Sequence, residues 1–434
     1  MERVAVGLLG LGTVGSGVAR LLAEQGARIE RRSGRRVEIK WAAVRDLGRA
    51  RDCPLPADRI VDDPRRVVDD PDVSIVVEVM GGVRPALGLI LGALAAGKDV
   101  VTANKALLAE HGAEVFAQAR RHGRAIAFEA AVAGGIPIVQ ALSVGLAANQ
   151  VQGLAAIVNG TCNFILTAMT RDGSPYAQAL ARAQELGYAE ADPTLDVDGT
   201  DTAHKLAILA QLAFGTTVTT ADIPREGIDR LQPADIAYAA ELGYAVKLLA
   251  LAKLSAHGLE LRVAPTLVHR GTPLADVAGP YNAVRVVGDA VGDTLFYGRG
   301  AGAMPTASAV VGDLIDVIVG RAAITSRELD LWSGSTGAPR LVSPDQVRSR
   351  YYLRFTIADR PGVIAALARV LGDHGISIAS LIQHDPGDDA IPAGPVPLVM
   401  MTHLAIEAHL RAALREIDRL DVVKPPTVCL GVED

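Results

Sequence analysis

Residues 3 to 9, Arg-Val-Ala-Val-Gly-Leu-Leu, run without a break into Gly10-Leu11-Gly12-Thr13-Val14-Gly15, and Val18, Leu21 and Leu22 then recur at helical spacing. This strand, glycine turn and helix constrain the fold more than anything else in the chain. Gly10 permits a tight turn, Gly12 lets backbone come close to a pyrophosphate, and Gly15 lets the helix pack on the strand. The helix N-terminus then favours negative charge. Glycine turns by themselves are common and often only loops, so context has to decide. Val37 to Val44 supplies a second strand at the spacing a dinucleotide fold requires, and Val73 to Met80 and Asp99 to Thr102 repeat the buried parallel-strand pattern. The end of the second strand selects the cofactor, because an acid there meets ribose hydroxyls and an arginine meets a 2′-phosphate. Arg45 stands there, followed by Asp46. NADP is the expectation, NAD the alternative if Asp46 turns inward, and a solvated loop charge the plain reading of Arg45.

With 434 residues the chain exceeds one ordinary core, so two or three domains are expected. Its apolar half is mostly Ala, Val, Leu and Ile, with aromatics at 4%, which suits Ala-rich helices packed on a sheet. No apolar run is long and uncharged enough for a membrane span, and no leader pattern precedes the first strand. Cys53, Cys162 and Cys429 have neither pairing nor metal spacing, so a reducing cytoplasm is the expectation. The net charge of −6 and scattered arginines argue against nucleic acid or an anionic membrane as partner.

From Ala125 the pattern changes. A short strand to Phe128 meets Glu129, and Gly134, Gly135 and Pro137 then bend the chain into an apolar helix. A carboxylate beside inward carbonyls could hold a hard cation, though spacing alone favours a hinge. Leu154 to Val158 reads as a strand feeding Asn159-Gly160-Thr161 and a helix. That turn is either an ordinary cap or a seat for a carboxylate. Acids crowd between Glu185 and Asp201 (Glu190, Asp192, Asp196 and Asp198 among them), directly ahead of an apolar helix from Leu206 to Phe214. Asp201 and Lys205 stand four apart, which on a surface helix is a common ion pair. Lys205, however, is followed by Ala, Ile and Leu positions, and a desolvated lysine has a lowered pKa and can exchange a proton with an alkoxide.

Taken together, Gly10 to Gly15, Thr102-Ala103-Asn104-Lys105, Glu129 to Pro137, Asn159 to Asn163 and above all Ala183 to Lys205 resemble the homoserine dehydrogenase family across essentially the whole chain. The family interconverts L-homoserine and L-aspartate 4-semialdehyde with NAD(P), in cells mainly toward homoserine with NADPH. The resemblance implies that Lys205 moves a proton at the substrate oxygen, that Lys105 is a second positive group near nicotinamide and substrate, and that Asp201 orients both lysines. Glu190 and Asp196 would receive the substrate ammonium, and the backbone of Asn159, Gly160 and Thr161 its carboxylate. Thr13, Val14, Thr102, Asn104, Gly300 and Gly302 would join Gly10, Gly12, Gly15, Arg45 and Lys105 around the cofactor. A monovalent cation, Na+ or K+, would sit at the Glu129 side chain and the carbonyls of Val132, Gly134 and Ile136. Leu242 to Ala250 resembles the family's dimerisation region, so a homodimer is implied. Two rivals are a dehydrogenase for another amino-acid aldehyde, needing other ammonium-binding residues, and an idle amino-acid sensor, which the intact Lys105, Asp201 and Lys205 oppose.

Past Trp332 to Pro339 and a polar linker, Tyr351 to Ile357, a helix to Leu371, strands at Ile376 to Gln383 and Pro397 to Leu404, a helix Glu407 to Leu420 and a last strand give a βαββαβ order. With its Asp359-Arg360-Pro361-Gly362 turn, this segment resembles an ACT domain. The resemblance implies feedback by L-threonine at Asp359, Gly362, Ile376 and Gln383, while assembly alone is the structural alternative. The expected architecture is therefore α/β: a Rossmann-like domain over 1–140 with a return segment at about 300–325, an α+β substrate and dimerisation domain over 141–299, and a ferredoxin-like ACT domain over 350–434.

Overall fold

A computed structural model describes residues 2–333, 337–384 and 394–433; Gly334 to Thr336 of the Trp332 to Pro339 stretch lie outside the described residues. Strands β1 (Arg3–Leu9), β2 (Arg36–Ala43), β3 (Ile60–Val61), β4 (Val73–Glu78), β5 (Asp99–Thr102) and β6 (Ile126–Ala127) form one parallel sheet in the order β3-β2-β1-β4-β5-β6. Strands this apolar must be covered on both faces. The helix Arg84–Ala95 and the helix Lys105–His122 cover one face, and the helix Thr13–Ser33 the other. Strand order reverses between β1 and β4, and at such a switch point the loops diverge and leave a crevice.

The helix Ala303–Ile318 returns from the far end of the chain to complete that second face. Its Ala307, Val310, Val311, Leu314 and Val317 join Val6, Leu8, Val18 and Val77 in one core. The contact is backbone-close: a Cβ on Gly17 would lie 2.9 Å from the Ala303 carbonyl oxygen. Farther on, Trp332 stacks on Phe116 at 4.6 Å between ring centres, filling the space a side chain at Gly112 would need.

The middle domain supplies β7 (Val151–Ile157), β8 (Tyr244–Ser255), β9 (Gly258–His269), β10 (Tyr281–Gly288) and β11 (Gly292–Arg299). The ACT region supplies β12 (Arg348–Ser349), β13 (Tyr351–Ile357), β14 (Ile378–Ile382), β15 (Val396–Thr402), β16 (Ala405–Ile406) and β17 (Val428–Glu433). Its four long strands take the order β17-β13-β15-β14, with the helices Val363–Asp373 and Glu407–Ile417 on one face around Phe355, Leu367, Leu398 and Leu410. Alternating apolar positions and two amphipathic helices account for this βαββαβ layout.

A feature that patterning alone does not reveal is that these are not two sheets. Parallel pairing of Gly431 to Glu433 with Thr266 to Val268 fuses them into one nine-stranded sheet, β11-β10-β7-β8-β9-β17-β13-β15-β14. The junction is reinforced by charge. Arg354 reaches Asp235 at 2.5 and 3.1 Å, with Asp235 wholly buried, and Glu433 meets Lys253 of β8 at 2.7 Å. The segment Leu242 to Ala250 runs into β8, at the middle of the sheet, rather than at an edge. The free edge of the middle domain is β11, where Leu295 and Tyr297 are exposed.

Candidate active site

The glycine turn sits at the switch point. Gly10 has a φ of 106°, and a Cβ there would come within 2.8 Å of the Val79 backbone, so the loops leaving β1 and β4 touch. A Cβ on Gly15 would lie 2.2 Å from the Gly10 carbonyl oxygen, which fixes the helix against the turn. At Gly12, in contrast, a Cβ would meet nothing within 4 Å. The helix Thr13–Ser33 begins with no side-chain cap and no acid in its first turn. The amides of Thr13, Val14 and Gly15 are thus first-turn donors without intrahelical acceptors. These residues fit a dinucleotide pyrophosphate.

Arg45 is exposed and makes no ion pair among the described residues, whereas the Asp46 carboxylate turns back on its own loop to accept from the Gly48 amide at 2.8 Å. Thr102 and Asn104 hold the crevice's framework together. Thr102 Oγ1 donates to Glu78 at 2.7 Å, and Asn104 caps the helix Lys105–His122 while donating to the Gly82 carbonyl at 2.7 Å. Their side chains are occupied, and Glu78 is the organiser that sequence reading missed. Fully buried at the end of β4, it accepts from the amides of Met80 and Gly81, and burial holds its pKa above the usual carboxylate range despite those bonds. An acid closing an otherwise apolar strand, Val73 to Val77, is the signal that could have exposed it.

Across the crevice, the helix Thr200–Phe214 is buried on all sides and presents Asp201 and Lys205 one turn apart. Lys205 Nζ donates to Asp201 Oδ2 and to the Val158 carbonyl, each at 2.6 Å. The other Asp201 oxygen takes Lys105 Nζ at 2.8 Å. One carboxylate therefore serves two ammonium groups, and their burial differs: the Lys205 side chain is 11% exposed and that of Lys105 42%. Desolvation dominates at Lys205 and lowers its pKa, although Asp201 opposes it. At Lys105 burial also acts against the charge, but Asp201, Asp196 and Glu190 more than offset it, and the pKa is raised. Asp201 itself, despite burial, is held well below the usual range by the two lysines. Burial and the shared Asp201 thus push the two lysines in opposite directions, Lys205 down and Lys105 up, which makes Lys205 the better suited of the two to acid–base work.

The acid-rich loop folds over this pair. Asn159, the N-cap of the helix Gly160–Asp172, donates to Asp196 at 2.8 Å and to Asp201 at 2.9 Å. Thr161 Oγ1 reaches Asp196 at 3.1 Å. The first-turn amides of Gly160 and Thr161 have no intrahelical acceptor. Glu190 is exposed and its carboxylate has no hydrogen bond or ion pair among the described residues. His204, 3.7 Å from Glu110, borders the lysines on the helix and was not anticipated; burial lowers its pKa.

The bend connects the two halves. Ala133 and Gly134 adopt φ of 52° and 41°, and the Gly135 amide bonds the Arg299 carbonyl at 3.0 Å. A Cβ on Gly134 would lie 2.5 Å from the Gly300 carbonyl oxygen, while Gly302, at φ 121°, opens the return helix. Glu129 accepts from the amides of Val139 and Gln140 at 2.8 and 2.9 Å, and its own amide donates to buried Asp313 at 2.9 Å. Burial raises the pKa of both acids. The Ile136 carbonyl accepts from Ile138, whereas those of Val132 and Gly134 have no backbone donor among the described residues.

In the ACT region, Gly362 has a φ of 92° and Gln383 donates to Asp359 at 3.2 Å, so the structure brings these positions together. Ile376 lies apart from them: its side chain is in the ACT core and its amide bonds Leu371 at 2.8 Å.

Comparison with known proteins identifies the same three domains. Residues 137–315 match the homoserine dehydrogenase family, residues 10–129 the homoserine dehydrogenase NAD-binding domain, and residues 351–422 the ACT domain. The homoserine dehydrogenase of Neisseria gonorrhoeae is 45% identical, with all of this chain and 99% of that one covered; that of Synechocystis is 46% identical, with 97% of each covered. A homoserine dehydrogenase structure from Thiobacillus denitrificans superposes with a TM-score of 0.93 at 44% identity over 100% of this chain and 99% of that one. A hyperthermophilic archaeal homoserine dehydrogenase in complex with NADPH covers 73% of this chain and 98% of its own, with a TM-score of 0.62 at 26% identity. The chain belongs to the homoserine dehydrogenase family, with nicotinamide-dinucleotide-binding, catalytic and ACT domains in one polypeptide.

Proposed function

We propose that the site interconverts L-homoserine and L-aspartate 4-semialdehyde, with Lys205 carrying the proton at the substrate oxygen. The observation that carries this reading is the shared Asp201, which serves a buried titratable lysine and a more exposed fixed one. A bound nicotinamide supplies the two-electron donor or acceptor. Toward homoserine, the Lys205 ammonium donates to the oxygen as it gains charge; in the reverse direction the neutral amine accepts the hydroxyl proton. Lys105 stays charged and stabilises the oxygen in both directions. The unpaired Glu190 carboxylate meets the substrate ammonium together with Asp196, which Asn159 and Thr161 orient. The amides of Gly160 and Thr161 face the substrate carboxylate.

A proton balance follows. A lowered Lys205 pKa means that homoserine oxidation by NADP+ rises with pH and levels off below the ordinary lysine value of about 10.4. Aspartate semialdehyde reduction falls over the same window. Asp201 favours the ammonium, so Asp201→Asn should move the limb to lower pH. Initial rates across pH 6–11 check this, and a limb at or above the free-lysine value removes Lys205 as the titrating base.

NADP is the preferred cofactor on this reading, supported by unpaired Arg45 and by an Asp46 committed to its own loop. Arg45→Ala should raise the KM for NADPH about tenfold, roughly the worth of one charge-assisted hydrogen bond, and leave that for NADH nearly unchanged. An equal change for both cofactors takes Arg45 away from the 2′-phosphate. A Na+ or K+ ion at the bend would have the Glu129 side chain and the carbonyls of Val132, Gly134 and Ile136 as donors, Glu129 and Ile136 each through a lone pair not used in its hydrogen bond.

L-Threonine is the effector this reading assigns to the ACT region, with Asp359, Gly362 and Gln383 as contacts. Subunits pair as a homodimer. The open β11 edge with exposed Leu295 and Tyr297 supports an interface there. No helix among the described residues is long and apolar enough to cross a membrane, and amino-acid biosynthesis suits the cytoplasm.

A further inference from the structure

The side-chain amide of Asn282 is buried, with the residue 1% exposed, and Oδ1 has no hydrogen-bond partner. No side-chain hydrogen bond of Asn282 occurs among the described residues. Leaving such a group unsatisfied is destabilising, so a buried asparagine without a partner requires an explanation.

Its position supplies one. Ala283 of β10 pairs with Ile157 of β7, which sets Asn282 opposite Val158, the residue whose carbonyl holds Lys205. A Cβ on Gly160 would lie 3.7 Å from Asn282 Oδ1, and a Cβ on Gly300 would lie 2.0 Å from Nδ2. The amide therefore occupies the space between the turn that opens the helix Gly160–Asp172 and the loop returning to the cofactor domain. Gly300 has no side chain because Asn282 fills that volume.

We propose that Asn282 positions the bound pair: its Oδ1 accepts a hydrogen bond from an N–H or O–H of cofactor or substrate, so the amide is satisfied only when the site is filled. This rests on the dehydrogenase reading of the site. Such a residue lowers the stability of the empty protein and raises the affinity of the occupied one, a trade a purely structural asparagine does not make.

Asn282→Leu keeps the outline and removes both polar atoms. Its Tm should be no lower than that of the unaltered enzyme, while kcat/KM for homoserine falls about tenfold, as expected for one hydrogen bond to a buried group. Calorimetric titration with NADPH separates the sources. A weakened Kd assigns the donor to the nicotinamide carboxamide; an intact Kd with a raised homoserine KM assigns it to the substrate. Asn282→Asp, which retains an acceptor oxygen in the same place, should recover part of the loss. A lower Tm with unchanged kinetics would mean the amide has a structural partner, and kinetics and Kd within about twofold of the unaltered enzyme would mean it has no ligand. Either result overturns the inference, as does an aspartate variant no better than leucine. An unaltered enzyme that fails to oxidise homoserine would instead refute the reading of the whole site.

Discussion

Lys205→Ala will lower turnover in both directions by about 10²–10⁴-fold, the usual contribution of a positioned acid–base group, with NADPH affinity nearly intact. The reason for a clean separation is geometric. Lys205 lies on the substrate side, bonded to Asp201 and Val158, whereas the glycine turn and Arg45 lie across the crevice on the cofactor domain. Removing the amine leaves no orphaned charge, because Asp201 still has Lys105 at 2.8 Å and Asn159 at 2.9 Å. Folding should therefore survive. Lys205→Met, which fills the same space, serves as control for the cavity. Retained turnover in either variant, measured under saturating cofactor, would remove Lys205 from the mechanism.

The second large effect concerns stability. Arg354→Met should cost about 3–5 kcal/mol, because it strands the wholly buried Asp235 carboxylate without its guanidinium partner. Asp235 would keep the Gln232 amide at 2.9 Å and the Tyr352 hydroxyl at 3.3 Å, neither of which carries a compensating charge. Urea unfolding should show the midpoint falling sharply, and a loss below about 1 kcal/mol would mean the pair is screened as a surface bridge is. The same junction bears on truncation: cutting the chain after Val342 should not leave an active, threonine-insensitive enzyme. Such a cut removes β13 and β17 together, exposes the hydrogen-bonding edge of β9 and leaves Asp235 uncompensated. The product should aggregate rather than escape regulation.

The sequence carries most of the cofactor domain plainly because β1, β4 and β5 are short, mainly apolar runs, whereas β2 alternates Glu38 and Lys40 with apolar residues and the two-residue β3 leaves no pattern to read. The Asp201 and Lys205 pair is equally visible, since four-residue spacing on an apolar helix admits one geometry. Long-range polar partners are what local patterns cannot contain. Glu78 bonds Thr102, Glu129 meets Asp313, and Asp235 finds Arg354 more than a hundred residues away. Asn282 is invisible for a related reason: nothing in Tyr-Asn-Ala-Val marks its amide as buried and unpartnered. Strand pairing between β17 and β9 is equally hidden, because a parallel edge contact needs no special residue on either side.

The return helix has a consequence for biogenesis. Val6, Leu8 and Val77 are covered in part by Val310, Val311 and Leu314, so the face that the helix Thr13–Ser33 covers only partly is not completed until the ribosome has made the chain as far as Ile318. The N-terminal module thus completes its packing only with a segment, Ala303–Ile318, synthesised long after its own last strand, Ile126–Ala127.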